Sequence, residues 1–274
     1  MKLYKNREWL EKEYCEKGRR LEDLGEQFGI TRTSIFQWIK KFKLKRERII
    51  ITKPNKRKYN LDVDYFKKID TEEKAYWLGF IAADGCVRYR VGCRILTIEL
   101  SKKDEEHLEK FRKAIKYEGP IRQKKERVIH NKKWKDKNKI FITKPSVSLT
   151  ICHCDFVKNL IDQGIMENKT KLLQPPKIAK KYYRHWIRGL FDGDGSVSFV
   201  HDGYIRGEFI GTKNVIKWIV KQFDCSEVVG KRKEKELYCH SFGCKEARTI
   251  RYYLYDNSKV FLERKKEVFY NKES

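Results

Sequence analysis

The chain of 274 residues is 40% hydrophobic and 13% aromatic. That is enough apolar material for one sizeable core with a small accessory domain, or for two modest cores, and too much for a disordered tail. Its 64 Lys and Arg against 38 Asp and Glu give a formal net charge of +26, which points to a large polyanion such as nucleic acid and away from small acidic metabolites. No apolar run is long enough to span a bilayer, and no signal-peptide or lipidation pattern follows Met1. The sequence is therefore expected to be soluble and intracellular, cytoplasmic in a prokaryotic or phage setting, with no membrane partner.

Residues 6–44 read as three short helices. The first covers Arg7 to Glu16 and stops near Gly18; the second covers Leu21 to Phe28 and stops at Gly29, which suits a left-handed C-cap. Thr31 then caps a third helix whose Ile35, Trp38, Ile39 and Phe42 follow the spacing of a buried stripe. The segment Leu21 to Ile39 resembles a helix-turn-helix, a motif that sets the N-terminal side chains of its last helix on base edges in the major groove. Here those are Arg32, Thr33, Ser34 and Gln37, which lie off the apolar stripe. Residues 1–50 form this expected domain, and a basic linker over 51–62 suits a tether that meets phosphates without reading sequence.

Beyond the linker the sequence repeats itself. Asp84-Gly85 recurs as Asp194-Gly195 at a shift of 110 residues, and Val87, Tyr89, Leu100 and Lys103 fall on Val197, Phe199, Ile210 and Lys213 at the same shift. The copies are assigned to 63–180 and 181–274. Each begins with a helix and continues as alternating segments, a second helix, further strand-like segments and a last helix. A basic insertion, Lys124 to Lys144, is present in the first copy alone.

The first copy opens with the segment Ala75 to Gly85 and the second with His185 to Gly195, each an apolar helix ending in Asp-Gly. Gly79 with Ala83, and Gly189 with Gly193, are small residues four apart, so they share a face that lets two helix backbones approach. An aspartate at a helix C-terminus meets the negative end of the macrodipole. Were the helices to pair in parallel, Asp84 and Asp194 would meet, and two charges about 4 Å apart repel by roughly 4 kcal/mol at an effective dielectric of 20. Divalent cations would remove that cost. Hard carboxylate oxygens select Mg2+, with Mn2+ able to substitute.

These segments, with Thr71 to Gly79 and Leu254 to Lys265, resemble the LAGLIDADG homing endonucleases in their single-chain, two-motif form. The resemblance implies an α+β fold in which two pseudo-symmetric αββαββα repeats form a β-saddle over DNA, here preceded by the small all-α helix-turn-helix domain. It implies a monomer that cuts double-stranded DNA at a long, weakly pseudo-palindromic site, across the minor groove and leaving short 3′ overhangs. The last motif aspartates, Asp84 and Asp194, would hold magnesium. Ala82 departs from the pattern where the second copy has Asp192. The family also implies a basic residue near the scissile phosphate, for which Lys245 is chosen. A non-cleaving transcription regulator and an RNA-splicing maturase are the alternative uses of the same fold.

By strand parity, Val87, Tyr89 and Val91 point inward and Arg88 and Arg90 outward. Leu96, Ile98 and Leu100 are read as inward with Arg94 and Thr97 outward, and Val147, Leu149 and Ile151 as inward with Ser146, Ser148 and Thr150 outward. Arg88, Arg90, Arg94, Thr97, Arg122, Lys124, Ser148 and Thr150 form the expected DNA-facing set. Parity fails around Arg206 to Phe209, which suggests a bulge or a shifted register. The eight cysteines are read as reduced thiols. Cys152-His153-Cys154 with Cys239-His240 and Cys244 could be imagined as a zinc cluster, but strand alternation turns His153 away from its neighbours, so no zinc is expected.

Overall fold

The computed structural model describes residues 3–44, 59–90, 92–130, 140–167, 169–199, 204–223, 229–231 and 237–270. Most of the expected linker lies outside them. The chain divides into two compact units, 1–54 and 55–274.

In the first unit, Asn6 caps α1 (Arg7–Leu10) by accepting from the Trp9 N–H, and the helix continues as π-helical turns over Glu11–Glu16. Next come α2 (Leu21–Gln27) and α3 (Arg32–Lys41). Between them Gly29 holds φ at +62°, the left-handed position anticipated from the sequence. Thr31 caps α3 by accepting from the Ser34 N–H. Leu10, Leu24, Ile35 and Ile39 form the core, with Trp38 and Phe42 packed against it.

The second unit is built twice over. The first copy runs α4 (Glu72–Asp84), β1 (Gly85–Arg90), β2 (Cys93–Ser101), α5 (Glu105–Ala114), β3 (Arg122–Lys124), β4 (Arg127–His130), β5 (Ile140–Thr143), β6 (Ser146–Cys152) and α6 (Cys154–Asp162). A short α7 (Lys169–Leu172) leads to the second copy: α8 (Tyr183–Asp194), β7 (Ser196–Phe199), β8 (Ile205–Gly211), α9 (Lys213–Val220), β9 (Gly230–Lys231), β10 (Tyr238–Phe242) and α10 (Cys244–Tyr255), followed by α11 (Glu263–Tyr270). The two antiparallel sheets share one topology, with strand orders β1-β2-β6-β3 and β7-β8-β10-β9. The basic insertion contributes β4 and β5, which among the described residues form a two-stranded sheet of their own.

Three sequence expectations are corrected by the packing. First, β8 has no bulge; its register with β7 and β10 is continuous. Gly207 is simply the inward residue between Ile205 and Phe209, and the ring of Phe242 fills the space that its side chain would occupy. Second, Cys93 and Cys152 are joined in a disulfide, their Cα atoms 6.4 Å apart at neighbouring ends of β2 and β6. Sequence separation hid this pair, since its members stand 59 positions apart. Third, strand alternation does not extend to His153. The strand ends at Cys152, and His153 instead caps α6, its Nδ1 accepting from the Phe156 N–H.

Candidate active site

The helix α4 is buried from Ala75 to Ala83 without a polar face, the pattern of a helix enclosed on every side. Its partner is α8. A Cβ on Gly79 would overlap the carbonyl oxygen of Trp186, and one on Gly189 would overlap that of Tyr76. The contacts are reciprocal under the same shift of 110 residues that the sequence shows. Further along, a Cβ on Gly193 would overlap the Ala83 side chain and stand 3.2 Å from Asp84 Oδ2. The helices therefore run side by side in one direction and finish together. Asp84 and Asp194 are their last residues, each followed by a glycine that turns into a strand.

The charge of Asp194 is felt at Asp84. Burial first, and the nearby Asp194 second, push the pKa of Asp84 up to about 6, while Lys265 and Lys169 oppose the rise. Asp194 reaches solvent, yet the surrounding protein still raises its pKa, against the pull of Lys169 and Lys265. Among the described residues no group of three or more His, Cys, Asp or Glu is placed to hold a metal. A paired-carboxylate site nevertheless fits an ion such as Mg2+, which keeps much of its water and takes one or two protein carboxylates together with phosphate oxygens.

The cations facing this pair are not the one chosen from the sequence. Lys245 is exposed in the first turn of α10, and it is not among the lysines whose charge bears on Asp84 or Asp194. Those are Lys169 and Lys265, both buried. Lys169 Nζ donates to the carbonyl of Ala82 at 2.8 Å and to that of Ala83. Lys265 Nζ donates to the carbonyls of Phe191 at 2.6 Å, Gly193 at 3.2 Å and Gly195 at 2.5 Å. Each lysine thus donates to carbonyls at the end of a motif helix and places positive charge at the negative end of its dipole. Burial lowers the pKa of both, that of Lys265 to about 8. The two lysines follow their aspartates by 85 and 71 residues, so the repeat shift could not have found them.

Asp192 is occupied elsewhere. It is buried, and its oxygens accept from the Tyr76 hydroxyl at 2.7 Å, the Tyr255 hydroxyl at 2.6 Å and the Leu262 N–H at 2.8 Å. The single Tyr76 proton goes to Asp192, so His107 Nε2, 2.9 Å from the same oxygen, must be the donor there. Ala82, its counterpart at the repeat shift, carries no such group.

The outward face of the first sheet carries most of the expected polar set. Register places Arg88 opposite Ile95, Thr97 opposite both Cys86 and Thr150, and Arg122 opposite Ser148, and residues directly opposite share a face. Arg88, Arg122 and Thr150 are exposed and Thr97 is half-buried. Lys124 is half-buried and ion-paired with Glu99. The Arg90 side chain lies outside the described residues, as does Val91. Two members of the set are corrected. Ser148 is buried at 3% exposure, sitting mid-strand between Glu99 and Arg122. Arg94 has the parity of Leu96 and Ile98, so it falls on the core side, its guanidinium 5.6 Å from the Tyr89 ring centre. In the first unit Arg32, Thr33 and Gln37 are exposed and Ser34 half-buried, with Arg32 ion-paired to Glu22.

Paired motif helices ending in facing aspartates, each helix leading into an antiparallel sheet, define the class. Residues 71–162 match the family model described as a LAGLIDADG-like domain, and this segment is such a domain. No curated protein matches the chain. Among solved structures it is similar to the meganuclease I-AabMI bound to uncleaved DNA, at 15% identity over 72% of this chain and 88% of that one, with a TM-score of 0.47. It is also similar to the homing endonuclease I-WcaI bound to its DNA recognition sequence, at 15% identity over 74% and 90% with a TM-score of 0.48. A third likeness is to the homing endonuclease I-LtrWI bound to target DNA, at 12% identity over 77% and 91% with a TM-score of 0.44. Among the described residues, no helix is long and apolar enough to cross a membrane.

Proposed function

We propose that the protein is a site-specific endonuclease that hydrolyses both strands of a long, weakly pseudo-palindromic DNA target, acting as a monomer. The observation that carries this reading is the junction of Asp84 and Asp194 at the ends of paired helices, faced by two buried lysines. A metal-dependent nuclease can use such a pair to hold its cations. A protein that only binds DNA gains nothing from two carboxyls that raise the cost of burying each other.

In this reading Asp84 and Asp194 hold divalent cations, Mg2+ with Mn2+ as a substitute. Such ions, when bound, activate water and stabilise the departing oxyanion. Lys265 already spends its three N–H groups on backbone carbonyls, so it serves as a fixed positive charge for the phosphate. Lys169 plays the corresponding part in the other half of the site, and the pair replaces Lys245 in that role. Arg88, Thr97, Arg122, Lys124 and Thr150 on the outer sheet face, with Arg90, meet the DNA. The first unit acts as a helix-turn-helix module through Arg32, Thr33, Ser34 and Gln37.

The test is to incubate the protein with Mg2+ and a library of long duplexes and to sequence the cut ends. Cutting at one site that is lost in Asp84→Asn and in Asp194→Asn, with binding retained in Ca2+, supports the reading. Sequence-specific binding without cutting by the unaltered protein would favour a regulator, and preference for structured RNA would favour a splicing role.

A further inference from the structure

Lys265 stands at the start of α11, 71 residues after Asp194 at the end of α8, so its place in the site depends on the contacts that fix the start of α11. Three contacts fix that start. The Leu262 N–H, at the entry to α11, donates to Asp192 Oδ2 at 2.8 Å. Arg264 forks onto Asp104, with Nε 2.9 Å from Oδ1 and Nη2 3.1 Å from Oδ2. Upstream, Glu72 Oε1 accepts from the Lys259 N–H at 3.0 Å and from the buried Arg188, whose Nε donates to the Val260 carbonyl at 2.8 Å.

Two of these partners, Arg188 and Asp192, lie on the helix that ends in Asp194, and Asp192 is the nearer, two residues before it. Tyr76 from α4 and Tyr255 from α10 both donate to Asp192, so it ties both motif helices to the entry of α11. It is also the acidic group whose charge weighs most on Lys265. The first copy is built differently. Ala82 stands where Asp192 would be, and Lys169 reaches the end of α4 from the short α7.

We infer that Asp192 is a positioning residue for Lys265, so that the two halves of the site are held by different means and can be disabled separately. The inference rests on the endonuclease reading for its effect on cutting, but the placement of Lys265 is a property of the chain itself. Asp192→Asn keeps the volume but removes the charge. It also replaces one carboxylate oxygen with an NH2 that donates and does not accept, so either the Tyr255 hydroxyl or the Tyr76 hydroxyl and the Leu262 N–H lose their acceptor. The effect should fall on one strand of the target.

The experiment has two readouts on the full chain. In the first, each DNA strand carries its own label, and single-turnover rates are compared with those of Lys265→Ala and Lys169→Ala, which identify the strand served by each lysine. Asp192→Asn should slow the Lys265 strand about tenfold more than the other, so that nicked duplex accumulates. A general folding defect would slow both strands alike and leave their ratio unchanged, which overturns the inference. The second readout needs no DNA: lysines are acetylated with acetic anhydride and followed by mass spectrometry. Lys265 should be protected in the unaltered protein and react several-fold faster in Asp192→Asn, while Lys169 keeps its rate. If Lys265 stays protected in the variant, Asp192 does not position it. If the unaltered protein cuts no DNA, the endonuclease reading fails, and the acetylation result alone decides the inference.

Discussion

Gly189 lies so close to Tyr76 of the opposite motif helix that a Cβ would overlap the Tyr76 carbonyl oxygen and stand 2.7 Å from the Phe80 nitrogen. Both obstacles are backbone, which cannot rotate aside. Gly189→Ala, and Gly79→Ala at the reciprocal contact, should each destabilise the protein by about 3 kcal/mol, near the upper end for overpacked cores. A shift in the urea midpoint with an unchanged slope would show it. A midpoint within error of the unaltered protein would mean that the helices are not packed this closely.

His107 gives a pH dependence with a definite sign. It is buried, and burial, aided by Lys110 and Arg264 and opposed by Asp104, lowers its pKa from 6.5 to about 3. Above pH 6.5 the ring is neutral folded and unfolded, so it costs nothing; below that value the unfolded chain takes a proton that the folded one refuses, and stability falls. Between pH 6.5 and about pH 5 the loss from this group is about 2 kcal/mol. His107→Gln retains a donor for the Tyr76 hydroxyl and does not titrate, so its stability curve should be flatter by that amount. An equally steep curve would place the acid sensitivity elsewhere.

The lysines can be ranked by function. Lys169→Ala and Lys265→Ala should each slow cutting by about 100-fold or more, the usual effect of removing a charge aimed at the reacting phosphate. Lys245→Ala, at an exposed position, should stay within about threefold of the unaltered rate. The reverse order in single-turnover assays would restore Lys245 to the site and expel the buried pair.

Removing residues 1–50 should shorten the protected footprint and weaken DNA binding. The plot of log affinity against log salt should become shallower by about 0.9 for each phosphate that the shortened protein no longer neutralises. An unchanged footprint and slope would leave α3 with a role other than DNA binding.

Much of the fold was legible because it follows local rules. The Gly29 stop and the Thr31 cap depend on residues within one turn, and the alternation in β6 on neighbours two apart. The paired glycines and terminal aspartates were visible because duplication wrote them twice at one shift. Arg94 was misplaced although its parity with Leu96 was already visible in the sequence; burial of Ser148 and the inward place of Gly207 depended on which side chains crowd each strand.

The sequence by itself determined that two apolar helices would end in facing carboxylates, since spacing within a helix fixes which residues share a face. Only the tertiary structure decided which cations meet those carboxylates. Lys169 and Lys265 stand 85 and 71 residues beyond their aspartates, at positions that do not correspond under the repeat shift, and Asp192 is engaged by residues on three other segments. Such long-range pairings arise from how the whole core closes, and no local pattern encodes them.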